Sequence, residues 1–242
     1  MDIWTLCKNK ITLKELKTAK CNINIKNKYG YTLFHYMCFY GNINRLNMKM
    51  LKYCHEVMKA DINTKNNDGF TPFYHICYYG NSYGFDMEIL GYCCEVMKAD
   101  INTKNNDGST PFHRICSYKQ INIKMLKYCY EVMKADINVK DCHGTTPFHN
   151  ICYGSYYNGF DMETLTYCCK VMNADINIEN QFGFTPFHYL CKSKDHQMMR
   201  FLIKNNLLTN ETIKNSDLTT TNKLRYFIGT MVNLDDPDYT LY

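Results

Sequence analysis

An internal repeat constrains the fold of this chain more than any other feature of its sequence. A glycine recurs at intervals of 39, 39, 36 and 39 residues, and an upstream Asn or Asp recurs at the same four intervals. The glycines are Gly30, Gly69, Gly108, Gly144 and Gly183, and the upstream residues are Asn22, Asp61, Asp100, Asp136 and Asp175. Because two independent markers share one register, we infer five copies of one structural unit.

Each glycine is followed, after one residue, by a signature that predicts the start of a short helix. Thr is a good N-cap, and Pro suits the first helical position because its missing N–H would be unpaired there. The first copy has Leu33 instead of Pro, and the second has Tyr74 where the others have His, with His75 one place later. The predicted first helices begin at Thr32, Thr71, Thr110, Thr146 and Thr185 and end at Cys38, Cys77, Cys116, Cys152 and Cys191.

A second helix is predicted in each copy, because an Asn or Asp that can cap it precedes a stretch with helical apolar spacing. These caps are Asn47, Asp86, Asn122, Asp161 and Asp195. In the first four copies the apolar residue before the cap and a Leu in the first turn form a hydrophobic staple. The staples pair Leu46 with Leu51, Phe85 with Leu90, Ile121 with Leu126, and Phe160 with Leu165.

One such unit cannot bury its own apolar face, so the copies must stack. With Asp-Ile-Asn after the second helix, then the turn glycine, then Thr-Pro-Phe-His, the unit resembles the ankyrin repeat over residues 22–206. The resemblance implies an all-α solenoid of about five helix–loop–helix repeats with β-turn fingers. We expect capping helices in residues 1–21, where Thr12 and Glu15 match a capping box, and a C-terminal cap with a frayed tail in residues 207–242.

The units are longer than the ankyrin repeat of about 33 residues, so the excess must be accommodated. Alignment assigns most of it to longer aromatic loops at Gly80–Phe85 and Gly154–Phe160, and one residue to the end of the second helix. That helix usually closes with a left-handed Gly, where a bulkier residue costs on the order of 1 kcal/mol. This chain has Lys59, Lys98, Lys134 and Asn173 there, and the extra residue offers a way to change the cap.

Composition narrows the class of protein further. The net charge of +5 is well below that of a typical nucleic-acid-binding domain, and no run of 18 apolar residues or signal-like N-terminus occurs. We therefore expect a monomer in the cytoplasm or another intracellular compartment, including that of a host cell, with neither nucleic acid nor membrane as a partner. The 14 cysteines are then expected to be reduced.

Four His-x-x-Cys pairs raise the question of a metal site, since His and Cys three residues apart share a helix face. They begin at His35, His113, His149 and His188. Stacking would spread them along the solenoid, whereas zinc needs converging ligands, so we predict no metal, no cofactor and no catalytic residues. The adjacent pairs Cys93-Cys94 and Cys168-Cys169 align with Leu202-Ile203, which indicates core packing.

A solenoid without a catalytic constellation offers mainly a binding surface, and the resemblance implies a protein partner bound on the concave face. In ankyrin repeats the contact residues follow the turn glycine and the His of the first helix. Carried over to this chain, the contact residues are Tyr31, Tyr36, Phe70, His75, Ser109, Arg114, Thr145, Asn150, Phe184 and Tyr189. The competing interpretation is that several of these side chains pack on neighbouring repeats.

Two alternative functions stay open. The first is a host-directed or ubiquitin-ligase substrate adaptor of a virus or intracellular parasite, because the abundance of Asn, Lys, Ile and Tyr suggests an AT-rich genome. No F-box-like segment is recognisable in residues 206–242, which weakens this alternative. The second is a thiol or metal sensor that uses the Cys and His sets.

Overall fold

The computed structural model describes residues 11–19, 21–40, 46–83, 86–117, 121, 123–158, 161–192, 202 and 205. Helix α1, Leu13–Thr18, begins at the predicted capping box. The Thr12 N–H donates to Glu15 Oε2 over 2.7 Å, and the Glu15 N–H donates to Thr12 Oγ1 over 3.2 Å. Leu16 of α1 is buried in the common core. The predicted capping segments otherwise lie mostly outside the described residues, so their boundaries stay predictions.

Each repeat supplies a first helix and, in the first four repeats, a described second helix. The first helices are α2 (Leu33–Tyr40), α4 (Pro72–Tyr83), α6 (Pro111–Cys116), α8 (Pro147–Asn158) and α10 (Pro186–Lys192). The second helices are α3 (Met48–Lys52), α5 (Met87–Gly91), α7 (Ile123–Lys127) and α9 (Met162–Lys170). Neighbouring first helices pack on one another, as do α3 with α5 and α7 with α9. This two-layer stack confirms the predicted all-α solenoid.

One phenylalanine per repeat forms the centre of the core. Phe34, Phe73, Phe112, Phe148 and Phe187 are all 0% exposed. The predicted staple leucines Leu51, Leu90, Leu126 and Leu165 are also buried. Each phenylalanine follows the Thr and Pro (or Leu) that start a first helix, so the helix-start signature also positions the core. No helix among the described residues is long and apolar enough to cross a membrane.

The second helices begin where their caps predict. The side chains of Asn47, Asp86 and Asp161 accept hydrogen bonds from backbone N–H groups in the first turn. Leu46 and Ile121, ahead of two of the caps, pack against the core. The remaining caps, Asn122 and Asp195, and the staple residues Phe85 and Phe160 lie outside the described residues.

The prediction that long aromatic loops follow Cys77 and Cys152 is wrong. Helices α4 and α8 run through Gly80 and Gly154 and end at Tyr83 and Asn158. In the 36-residue repeat the first helix ends at Cys116, as predicted. In the second and fourth repeats the extra residues therefore lengthen the first helix, within which the backbone N–H and C=O groups pair with one another.

In the first three repeats the extra residue of the second helix is accommodated by a π-helical turn, and all four repeats whose second helix is described keep the left-handed residue that closes this helix. Helices α3, α5 and α7 continue into π-helical turns at Tyr53–Val57, Tyr92–Val96 and Tyr128–Val132. Lys59, Lys98, Lys134 and Asn173 then take φ values of 58°, 58°, 58° and 53°. The cap is closed by a hydrogen bond from the Ala60 N–H to the Cys54 carbonyl, 2.9 Å long, and its equivalents.

Candidate functional site

Each repeat has a β-turn finger, defined here as the turn around its recurring glycine, Gly30, Gly69, Gly108, Gly144 or Gly183. Half of the predicted contact residues directly follow these glycines, and backbone hydrogen bonds align neighbouring fingers. The Asn106 N–H donates to the Asp68 carbonyl (2.9 Å), and the Cys142 N–H donates to the Asp107 carbonyl (2.7 Å). Gly69 turns this finger with a φ of 79°, and a Cβ there would lie 2.8 Å from the Asn106 nitrogen. A glycine is therefore required both by the turn and by the adjoining finger.

Buried histidines join each first helix to the next finger. The Thr32 N–H donates to His35 Nδ1 (3.1 Å), so the ring proton lies on Nε2, which donates to the Phe70 carbonyl (3.0 Å). His113 and His149 repeat this arrangement with the carbonyls of Thr145 and Phe184. Burial lowers the pKa of His35 and of His149 to about 4, so these rings are neutral. They hold three predicted contact residues in place.

These bonds also explain the His-x-x-Cys pairs. Both ring nitrogens of His35, His113 and His149 are engaged, and Cys38, Cys116 and Cys152 are buried thiols whose pKa is raised by burial. Within the described residues no three His, Cys, Asp or Glu side chains are grouped so as to hold a metal ion. In the fourth pair His188 Nδ1 contacts Thr185, while the Cys191 side chain lies outside the described part.

The second repeat departs from this pattern. Tyr74 takes the place of the histidine, and its hydroxyl lies 3.5 Å from Ser109 Oγ. His75, displaced by one position, lies among aromatic rings, with its centroid 6.0 Å from Tyr31 and 5.1 Å from Phe39. Its Nε2 is buried without a hydrogen-bond partner, and burial lowers its pKa to about 3.

Eight of the ten predicted contact residues are half-buried, and two are buried. Those that are half-buried are Tyr31, Tyr36, Phe70, Arg114, Thr145, Asn150, Phe184 and Tyr189. His75 and Ser109 are 5% and 8% exposed, so they pack between repeats instead of presenting their side chains to solvent.

Two aromatic groups form from the half-buried set. At one end Tyr31 contacts Tyr36 edge-on at 5.5 Å, and at the other Phe184 lies 5.9 Å from Tyr189. Between them, Arg114, Ser109 and Asn150 line a cleft of about 210 Å³ together with Asp107 and Asp141. The structure thus brings the predicted residues of the third and fourth repeats together around one cation.

Four exposed aromatic side chains were missed by the sequence interpretation. Tyr29 and Phe182, directly before the finger glycines, are 55% and 63% exposed. Tyr78 and Tyr153, one helical turn after Tyr74 and His149, are 43% and 49% exposed. For Tyr78 and Tyr153 the signal was available in the sequence, because they lie three residues after the predicted contact residues His75 and Asn150 and so share a helix face with them.

Comparison with known proteins agrees with the repeat geometry. The family model described as ankyrin repeat matches residues 29–64 and 182–209, which lie in the first and last repeats. No curated protein matches the chain. Because the intervening repeats share the register, the finger glycines and the stacked helices of the matched ones, the chain is an ankyrin-repeat protein.

Proposed function

We propose that this chain is a scaffold that binds a partner protein on its inner face, defined here as the surface of the first helices together with the finger tips. Ankyrin repeats generally mediate interactions between proteins, and the family is in general non-catalytic. The fold supports this class of function, the binding of another protein.

The observation that supports the inner face most is the contrast between its side chains and those of the core. The core position two residues after the helix-start Thr is phenylalanine in every repeat. The position after each finger glycine is instead Tyr31, Phe70, Ser109, Thr145 or Phe184. Variation of this kind produces a surface that differs along its length, which a specific partner needs and a merely structural stack does not.

A sensor based on the Cys and His sets is less well supported. Burial raises the pKa of Cys94 and of Cys169 to about 12, so the reactive thiolate is scarce at neutral pH. Cys142 is an exposed thiol at a finger tip, but it lies apart from the paired sets. The adaptor alternative depends on residues 207–242, which are outside the described part.

The proposal is tested with two matched triple variants and a partner recovered by affinity purification. The inner-face variant carries Tyr29→Ala, Tyr153→Ala and Phe182→Ala, and the control carries Val57→Ala, Met87→Ala and Val96→Ala on the second helices. All six side chains are exposed, so each substitution alone is expected to change stability by about 0.5 kcal/mol or less.

We expect the inner-face variant to lose at least about tenfold in affinity for the purified partner and the control to retain it, because exposed aromatic residues contribute disproportionately to interfaces. Circular dichroism establishes that both variants are folded. A folded inner-face variant that binds as tightly as the native chain, while the control does not, would contradict the proposal.

A further inference from the structure

Arg114 is the one charged residue in the first helices of the first four repeats. Helices α2, α4, α6 and α8 contain no other Lys, Arg, Asp or Glu, and burial keeps the histidines of three of them, His35, His113 and His149, neutral near pH 7. Arg114 lies in α6, the first helix of the middle repeat. Apart from Arg114, the first helices of the first four repeats therefore carry aromatic and neutral side chains.

Contacts on one side fix the guanidinium in place. Arg114 Cζ lies 5.4 Å from the ring centroid of Tyr74 and 5.5 Å from that of Tyr78, and its Nε donates a hydrogen bond to the Tyr74 hydroxyl. Within the described residues the ion pair is Lys127 with Glu163, and no hydrogen bond from the terminal nitrogens of Arg114 is formed. The group is preorganised, and both of its Nη atoms stay available to a ligand.

Two acidic residues line the same cleft. Asp107 and Asp141 of the third and fourth fingers line it, and Asp141 Oδ1 accepts hydrogen bonds from the backbone N–H groups of His143 (2.9 Å) and Thr145 (2.8 Å). One cation and two carboxylates thus line a single cleft of about 210 Å³. A lone anion in this cleft would be attracted by Arg114 and repelled by Asp107 and Asp141.

We propose that this cleft binds a partner segment that carries an acidic side chain beside a basic one. This inference rests on the proposed scaffold function. The partner's carboxylate pairs with the Nη groups of Arg114, whose flat, fixed geometry suits two parallel hydrogen bonds, and the basic group faces Asp107 and Asp141. Apolar neighbours of the pair contact the aromatic groups on either side. A phosphate group fits less well, because its double negative charge faces the two aspartates.

The probe is a phage-displayed library of random-sequence peptides, selected on the full native chain and, in parallel, on Arg114→Gln, Asp107→Asn and the control Lys49→Gln. Lys49→Gln removes one positive charge from an exposed position on α3, away from the inner face. We expect peptides from the native and control selections to be enriched in Asp or Glu close to Lys or Arg. The Arg114→Gln selection should lose the acidic preference, and the Asp107→Asn selection the basic one.

A double-mutant cycle then tests the contact directly, with one selected peptide and its Glu→Gln or Asp→Asn counterpart. Removing the peptide's acidic group should lower its affinity for the native chain about tenfold. The same change should hardly affect affinity for Arg114→Gln, because that variant already lacks the charge-assisted hydrogen bonds to the peptide. Equal losses of affinity for the native chain and for Arg114→Gln would overturn the inference. It would also be overturned if the native chain selected no peptide in preference to Arg114→Gln.

The outcomes separate this inference from the function on which it rests. The selected peptides can lose affinity for Tyr153→Ala and Phe182→Ala and yet show neither acidic enrichment nor coupling to Arg114. That result would overturn the inference and leave the scaffold proposal standing. Peptides that bind all inner-face variants as tightly as the native chain contradict both.

Discussion

The imidazole of His35 has two structural roles, because it caps its own helix and binds the next finger. Both roles require a neutral ring with its proton on Nε2, which burial enforces. The repeated His of the sequence predicted a structural role, whereas its consequence for pH dependence needed the structure. The side chains that decide the aromatic packing of His75 come from Tyr31, Phe39 and Phe70, in two repeats, which a linear pattern does not reveal.

We expect acid to destabilise the fold through these rings. An unfolded imidazole takes up its proton near pH 6.5, but folded His35 and His149 do so near pH 4. Below pH 6.5 the unfolded state therefore binds more protons, and stability falls until about pH 4. At pH 5 the loss is on the order of 2 kcal/mol for each such ring.

Urea denaturation at pH 7 and pH 5 measures this loss, and His149→Gln should make the free energy of unfolding less dependent on pH. A native chain equally stable at both pH values would show that the buried rings are not what makes the fold acid-sensitive.

Substituting Ala for two of the finger glycines distinguishes the cost of a steric clash from the cost of backbone strain. Gly69 and Gly183 have φ values of 79° and 74°, but a Cβ would lie 2.8 Å from the Asn106 nitrogen at Gly69 and 3.6 Å from a flexible Glu179 oxygen at Gly183. Both Ala substitutions incur the left-handed penalty of roughly 1 kcal/mol, and Gly69→Ala should cost clearly more. Equal changes in melting temperature would argue against the close finger contact.

At the scale of the helix, each repeat absorbs additional residues without changing its two ends. The N-caps and the left-handed closing residues are both kept, while α4 and α8 lengthen and the second helices α3, α5 and α7 widen into π-helical turns. The sequence predicted the ends because Thr-Pro, Asn and Asp carry local signals. It did not predict that α4 and α8 continue through Gly80 and Gly154. Whether these segments are helix or loop depends on how neighbouring repeats pack, which local composition does not encode.

The left-handed caps predict a stabilising substitution. Lys98→Gly should raise the free energy of unfolding by up to about 1 kcal/mol, because Gly has no Cβ to clash at a φ of 58°. Asn173→Gly is the matched control and should gain less, since Asn tolerates this conformation better than Lys. Guanidinium unfolding of the two variants compares them, and a Lys98→Gly chain less stable than the native one would refute the strain.

At the scale of the whole molecule, stability depends on contacts between adjacent repeats, and the central ones have neighbours on both sides. Leu126→Ala removes a fully buried side chain from the third repeat and should cost about 2–5 kcal/mol. Denaturant unfolding followed by circular dichroism measures the loss. A cost below that of the exposed Val132→Ala would show that the third repeat is not tightly packed.

The sequence predicted the architecture because the repeat imposes it, but it predicted the inner face only in part. Eight proposed contact residues are half-buried, while His75 and Ser109 are buried partly by residues of the neighbouring repeat, such as His35 for His75 and Tyr74 for Ser109. The cleft at Arg114 depends on fingers and helices from successive repeats. Its charges are visible in the sequence, and their arrangement is not.

Site-specific photo-crosslinking tests the central claim, that the inner face binds the partner, most directly. A benzoylphenylalanine placed at Phe182 or Tyr153 reports on the inner face, and one placed at Val96 or Val57 reports on the second helices, all four positions being 48–63% exposed. We expect covalent adducts with the purified partner from Phe182 and Tyr153 and none from the valine positions. Adducts formed only from Val57 or Val96 would contradict it.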